Sequence, residues 1–183
     1  MARLLVLGAG GYGRTVAEAA AGLFEEIAFL DDRAAAALGP CVDYEKWKGI
    51  YQYAYPAFGN NELRRKWLEV LEQAGFQLPV IVHPRAWVSP SAVTEPGSVV
   101  LAMACVGAAS RVCRGAIINM GALIDHDCVV GPCVHAGPGA VVKAGNHLEP
   151  GEKVESGEVR ERKEYVACTP CLLYTSPSPR DCS

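Results

Sequence analysis

The sequence predicts a Rossmann-like α/β subdomain over residues 1–82 and a parallel β-helix of about four coils over residues 83–158. Three observations predict this. A glycine-rich turn joins an apolar run to an alanine-rich stretch near the N-terminus. Strand-like and helix-like segments then alternate as far as Val82. From Val88 onward the apolar residues recur every six positions.

The first element is the run "RLLVLG" (Arg3 to Gly8), continuously apolar as a buried parallel strand should be. Gly13 to Leu23 is alanine-rich and helical in composition. "IAFLDD" reads as a second strand ending on Asp31 and Asp32, and "YQYAYPAFG" as a weaker third. In "NNELRRKWLEVLEQAGF", Leu63, Trp67, Val70 and Leu71 form the predicted apolar face of a helix. Asn60 or Asn61 supplies its N-cap and Gly75 follows its end. "LPVIV" (Leu78 to Val82) reads as a fourth strand of the same sheet.

The second half changes period. Every sixth residue from Val88 to Val154 is aliphatic in eleven of twelve cases, Thr94 being the exception. The position three residues on, from Ser91 to Gly157, is glycine in seven of twelve cases. A position that selects glycine so often is expected to be a corner with positive φ, where Asp127 is also tolerated. The next position holds small residues such as Ala104, Ser110, Ala116 and Ala122, suited to a tight interior. Flats of six residues joined at regular corners describe a β-helix, with residues 18 apart stacked about 4.8 Å from each other.

Composition narrows the function. A net charge of −3 gives no basis for a nucleic-acid partner. The longest apolar run, Val99 to Ala109, is too short to cross a membrane. No charged-then-apolar leader opens the chain. The eight cysteines are scattered through apolar repeats, which points to a reducing cytoplasm. Cys168 and Cys171 form a lone CxxC, a weak metal signal. The segment 159–183 breaks the hexad with "RERKEY" and two Ser-Pro pairs and reads as a charged, non-native tail, and deletion of Ala167 to Ser183 is expected to leave assembly and thermal stability nearly unchanged.

Two motifs carry chemistry. Gly8, Gly10 and Gly13 have the G-x-G-x-x-G spacing between a strand and a helix, with Asp31 closing the next strand. This is the context of a nucleotide site, and about eighty preceding residues suit a single nucleotide better than a full dinucleotide. The second motif is Asp125-His126-Asp127 inside the hexads. His126 falls just before a corner and stacks between Ala108 and Ala144, so it has open space around it. A solvated corner accounts for it as well as a general base does.

The stretches "LGAGGYG", "FLDD", "FGNNELRRK", "HPRAWVSPSA" and "IINMGALIDHDCVVG" together resemble bacterial sugar acetyltransferases of the left-handed β-helix, hexapeptide-repeat superfamily. The similar proteins are the UDP-4-amino-sugar N-acetyltransferases and sialic acid O-acetyltransferases. The resemblance implies acetyl-CoA as co-substrate without a metal, a cytoplasmic homotrimer, and transfer to an amino or hydroxyl group of a nucleotide-linked sugar or sialic acid. It implies His126 as general base oriented by Asp127, with Asp125 a rival orienter. It places His135, Asn119, Ala144 and Gly145 at acetyl-CoA, His135 being equally readable as a surface residue. It assigns Gly8, Gly10, Gly11, Tyr12, Gly13, Asp31, Asp32, Gly59 and Asn60 to the nucleotide-sugar. Tyr12 stands where the family often has histidine. A zinc site of the carbonic-anhydrase kind does not fit the spacing of His83, His126, His135 and His147. The competing expectation is an inactive nucleotide-sugar-binding or scaffolding homologue with a shortened β-helix.

Overall fold

The computed structural model describes residues 2–162. The predicted tail beyond Arg162 and the Cys168/Cys171 pair lie outside the described residues. The N-terminal unit is a three-stranded parallel sheet of β1 (Arg3–Leu7), β2 (Glu26–Leu30) and β3 (Tyr53–Pro56) in the order β2-β1-β3. Helix α1 (Gly11–Ala20) follows β1, and a short 3-10 helix (Cys41–Trp47) lies in the crossover from β2 to β3. Helix α2 (Asn61–Gln73) follows β3. Leu4, Leu5, Val6 and Leu7 are all fully buried because this central strand is covered on both faces.

Fourteen two-residue strands then build a parallel solenoid. They are β4 (Ile81–Val82), β5 (Trp87–Val88), β6 (Val93–Thr94), β7 (Val99–Val100), β8 (Cys105–Val106), β9 (Arg111–Val112) and β10 (Ile117–Ile118), followed by β11 (Leu123–Ile124), β12 (Val129–Val130), β13 (His135–Ala136), β14 (Val141–Val142), β15 (His147–Leu148), β16 (Lys153–Val154) and β17 (Val159–Arg160). Every third strand joins the same sheet, giving three faces: β4-β7-β10-β13-β16, β5-β8-β11-β14-β17 and β6-β9-β12-β15. Pairing is at 18 residues throughout, for example Val88↔Val106, Val106↔Ile124 and Ile124↔Val142. The fold is a left-handed parallel β-helix of about four coils carrying an N-terminal α/β subdomain.

The hexad positions take the roles that their period predicts. Aliphatic residues from Val100 to Val154 and the small residues beside them form one buried core. Eleven of the twelve corner positions have positive φ, including the non-glycines Met103, Ala109, Asp127 and Cys133. Ser91 is the exception. At ten of the other eleven the corner N–H donates to a backbone carbonyl of the preceding coil, as Asp127 does to Ala108. At the first corner the hydroxyl of Ser91 instead accepts from Ala109 N–H at 3.1 Å.

Three expectations are corrected. The segment ending at Val82 is not a fourth strand of the N-terminal sheet: β4 pairs with β7 and opens the solenoid. Apolar strand residues cannot reveal which sheet receives them. The solenoid likewise runs two residues beyond 158, because β17 pairs with β14 (Val141↔Val159). Charged residues there do not prevent pairing, since Lys143 N–H donates to the Arg160 carbonyl, a backbone contact. Finally, the buried face of α2 is Arg64, Leu68 and Leu71, and Leu63 is exposed. A buried arginine disguises the stripe.

The corner row Gly97, Gly115, Cys133 and Gly151 runs along α2. A Cβ on Gly115 would lie 2.3 Å from Leu68 Cδ1, and one on Gly97 would lie 2.7 Å from Leu68 Cδ2. Asn61 Nδ2 donates to Gly151 O at 2.9 Å, and Arg114 Nη1 pairs with Glu72 at 2.7 Å. The face β4-β7-β10 is covered by the subdomain, since Ile81, Val99 and Ile117 pack with Leu4, Val16 and Tyr55.

Candidate active site

The glycine-rich turn is built by close approach. Gly8 has φ +101°, and its N–H donates to Leu30 O at 2.7 Å. A Cβ on Gly13 would sit 1.9 Å from the Gly8 carbonyl oxygen, so no side chain fits where α1 crosses the strand end. Gly10 is the N-cap of α1, and Cβ atoms on Gly10 and Gly11 would meet nothing within 4 Å. The turn therefore leaves open space at a helix N-terminus, the geometry that receives phosphate.

Asp31 is engaged by the protein itself. Its carboxylate accepts from Ala9 N–H at 2.8 Å, Arg33 N–H at 2.8 Å and Ala34 N–H at 2.9 Å. These three bonds hold its pKa below the ordinary carboxylate value. Asp31 thus ties the glycine turn to the end of β2. Asp32 is exposed and accepts from Cys41 N–H at 2.8 Å. Asn60 caps α2, its Oδ1 accepting from Leu63 N–H at 2.8 Å, and Gly59 beside it is exposed. The Tyr12 hydroxyl lies 2.7 Å from that of Tyr55, and burial raises the pKa of both phenols.

His135 and Asn119 stand together on the face covered by the subdomain. Met120 N–H donates to Asn119 Oδ1 at 2.8 Å, which turns Asn119 Nδ2 toward His135 Nε2 at 3.0 Å. Nε2 therefore accepts, and the ring proton sits on Nδ1. Nδ1 is buried without a hydrogen bond of good geometry among the described residues. Burial, then the Arg64 and Lys153 cations, lowers the His135 pKa, with the Gly59 backbone and Glu155 acting in the opposite sense. The ring is thus a neutral donor beside the Gly59 loop.

His126 lies elsewhere. Its corner row (Ser91, Ala109, Asp127, Gly145) joins the two faces that the subdomain does not cover, so it is the corner opposite the covered face. The His126 side chain is 51% exposed, and its Nδ1 lies 2.7 Å from Asp127 Oδ2. Asp127 sits in the left-handed region at φ 57°. Asp125 Oδ1 accepts the backbone N–H of His126 at 2.7 Å, so it fixes the main chain and leaves the ring to Asp127. With the carboxylate accepting from Nδ1, the lone pair of Nε2 is free to take a proton. Gly145 N–H donates to His126 O at 3.0 Å, and Ala144 is buried beside it.

The structure therefore makes two groups of the predicted residues. Gly8, Gly10, Gly11, Tyr12, Gly13, Gly59, Asn60, Asn119 and His135 gather around the subdomain and its covered face. His126, Asp127, Ala144 and Gly145 form the opposite corner. Sequence reasoning missed Arg64 and Tyr55, which join the first group. Their only signal was an arginine in register with Leu68 and Leu71 on α2. Among the described residues, no group of three His, Cys, Asp or Glu is placed to hold a metal ion.

A glycine-turn subdomain fixed to a hexapeptide β-helix, with a His–Asp pair on a free corner, is an acyltransferase architecture. Residues 3–71 match the family model described as the PglD N-terminal domain. The acetyltransferase domain of PglB from Neisseria gonorrhoeae FA1090 is 35% identical, with 88% of this chain and 92% of that chain covered and a TM-score of 0.78. The same domain has been solved with acetyl coenzyme A. A variant of perosamine N-acetyltransferase from Caulobacter crescentus, solved with CoA and GDP-perosamine, is 27% identical over 88% of this chain and 90% of that one, with a TM-score of 0.78. WeeI from Acinetobacter baumannii AYE shares the fold at 21% identity, covering 90% of this chain and 83% of that one, with a TM-score of 0.79. The chain belongs to the bacterial sugar acetyltransferases of the hexapeptide-repeat family and is an acetyltransferase.

Proposed function

We propose that the protein transfers the acetyl group of acetyl-CoA to the amine of a nucleotide-linked amino sugar, and that it does so as a cytoplasmic homotrimer. The observation that carries this reading is the His126–Asp127 pair, with Nε2 free at an exposed corner. As the sugar nitrogen attacks the thioester carbonyl, a C–N bond forms and His126 Nε2 takes the nitrogen's proton. The tetrahedral intermediate collapses with cleavage of the C–S bond, and the CoA thiolate leaves and receives a proton. Asp127 holds the ring tautomer and offsets the imidazolium charge. The glycine turn binds the nucleotide phosphates. The relatives solved with acetyl coenzyme A and with GDP-perosamine support both ligand classes. A sugar hydroxyl, or sialic acid as acceptor, would use the same base.

The two-group geometry supports an assembly of several copies. One chain places its glycine turn and His126 on opposite sides of the solenoid, so a nucleotide-sugar held by one copy meets His126 of another. The face next to the His126 corner supports this assembly: Trp87, Leu123 and Val159 are exposed along it, with Cys105 and Val141 partly so. An apolar column of this kind is suited to a neighbouring copy. Among the described residues, Cys41, Cys105, Cys113, Cys128 and Cys133 are free thiols, which supports a reducing compartment.

Thiol release from acetyl-CoA, measured over a panel of UDP- and GDP-linked amino sugars and sialic acid, tests the reading. Release dependent on one nucleotide amino sugar is expected. Binding of a nucleotide sugar without release from any acceptor would instead establish the inactive homologue.

A further inference from the structure

The buried Arg64 is unexplained by the acetyl-transfer chemistry. Its side chain is fully buried, and among the described residues no carboxylate lies within ion-pair distance. Its contacts are all to neutral oxygens. Nε donates to Gly115 O at 2.8 Å, Nη1 to Phe58 O at 2.9 Å, and Nη2 to Asn61 Oδ1 at 3.0 Å, Cys133 O at 2.8 Å and Val134 O at 3.4 Å. Burying an unpaired cation is costly, so packing alone is a poor reason for it. An apolar residue in register with Leu68 would pack this helix face without that cost.

Its partners explain the choice. Phe58 and Asn61 bracket Gly59 and Asn60, the loop assigned to the nucleotide. Cys133 and Val134 directly precede His135 on the solenoid. One planar fork therefore spans the α/β subdomain and the β-helix at the point where the nucleotide loop faces His135. A lysine, with a single ammonium, could not hold these divergent acceptors together.

We propose that Arg64 is a positioning residue for acetyl transfer, whose guanidinium clamps the Phe58–Asn61 loop to the strand bearing His135 and so sets where the sugar of a bound nucleotide-sugar lies. This rests on the proposed acetyl transfer to a nucleotide-linked sugar. Arg64 touches no reacting atom. It fixes the relation between two surfaces that do not share a secondary-structure element. Its cation also favours the neutral form of His135, as does Lys153, whereas Glu155 opposes them.

The test uses full-length Arg64→Lys and Arg64→Gln with two readouts. The first is steady-state kinetics. Both variants are expected to lose roughly 10²-fold in kcat/KM for the nucleotide sugar, the cost of about 1 Å of misplacement. The second is the NMR titration of the His135 imidazole. Its midpoint should rise in Arg64→Gln, where the cation is gone. If Arg64→Gln fails to fold, Arg64→Lys keeps the charge and still reports on the fork. Wild-type kcat/KM in a variant whose only change is a lower melting temperature would overturn the proposal and leave Arg64 a structural tie. If wild type acetylates no acceptor, the acetyl-transfer reading has failed. An unmoved His135 midpoint in Arg64→Gln would then separately overturn the placement of Arg64 against that strand.

Discussion

Leu68 Cδ1 occupies the space that a side chain at Gly115 would need: a Cβ there would lie 2.3 Å away. The helix of one unit is thus seated in the glycine corners of the other. Gly115 has φ +68°, and Gly121, at the equivalent place on another corner, has φ +67° with nothing within 4 Å of its Cβ position.

The pair separates backbone strain from packing. Gly121→Ala is expected to cost about 1–2 kcal/mol, the penalty of an L-residue in the left-handed region. Gly115→Ala should cost that plus about 1–3 kcal/mol of overpacking against Leu68 and Cys133. Chemical denaturation of the two variants measures the difference, and equal costs would show that α2 is not seated as described.

His126→Ala is expected to lower kcat by about 10²–10⁴-fold while leaving the melting temperature in place, because the side chain is exposed. Asp127→Asn keeps a residue that tolerates φ 57°. Its amide can donate to Nδ1 and move the ring proton to Nε2, so kcat should fall there also. Near-wild-type turnover in His126→Ala would remove this residue from the chemistry.

Gly10→Val should abolish binding of a nucleoside diphosphate without unfolding the protein. Gly10 is extended at φ −66°, which valine adopts, and its Cβ would enter the open space over the helix terminus. Calorimetry with UDP and GDP reads the outcome. Unchanged affinity for whichever binds wild type would place the phosphates elsewhere.

The apolar face carries an oligomer test. Leu123 is 44% exposed in one chain, so Leu123→Glu should leave the monomer fold intact and dissociate the trimer. Light scattering at micromolar concentration should report a trimer mass for wild type and a monomer mass for the variant. A wild-type monomer would refute the assembly.

His135 gives a pH dependence of stability. Its pKa is lowered from 6.5 in the folded protein, first by burial. The unfolded chain therefore takes up the proton at higher pH than the folded one. Stability from this group is full above pH 6.5 and falls as pH drops below it. His135→Asn should flatten that decline in urea titrations between pH 7 and pH 5.

The sequence by itself determined the solenoid. A period of six repeats one local environment at every coil, so the inward column, the small interior residues and the positive-φ corners could each be read from spacing. The glycine turn was legible for a related reason, since Gly13 is demanded by the Gly8 carbonyl five residues before it and Gly8 by its own φ of +101°. Tertiary structure alone decided what spacing cannot encode. It gave "LPVIV" to the solenoid and the carboxylate of Asp31 to the turn. It buried Arg64 against five neutral oxygens, and it set the Phe58–Asn61 loop and His126 on opposite sides of the β-helix. Those outcomes depend on contacts between residues far apart in the chain, such as Arg64 with Val134, 70 positions on, and Asn61 with Gly151, 90 positions on. Hydrophobicity along the chain ranks a buried arginine as surface, because the oxygens that satisfy it arrive only when the two units dock.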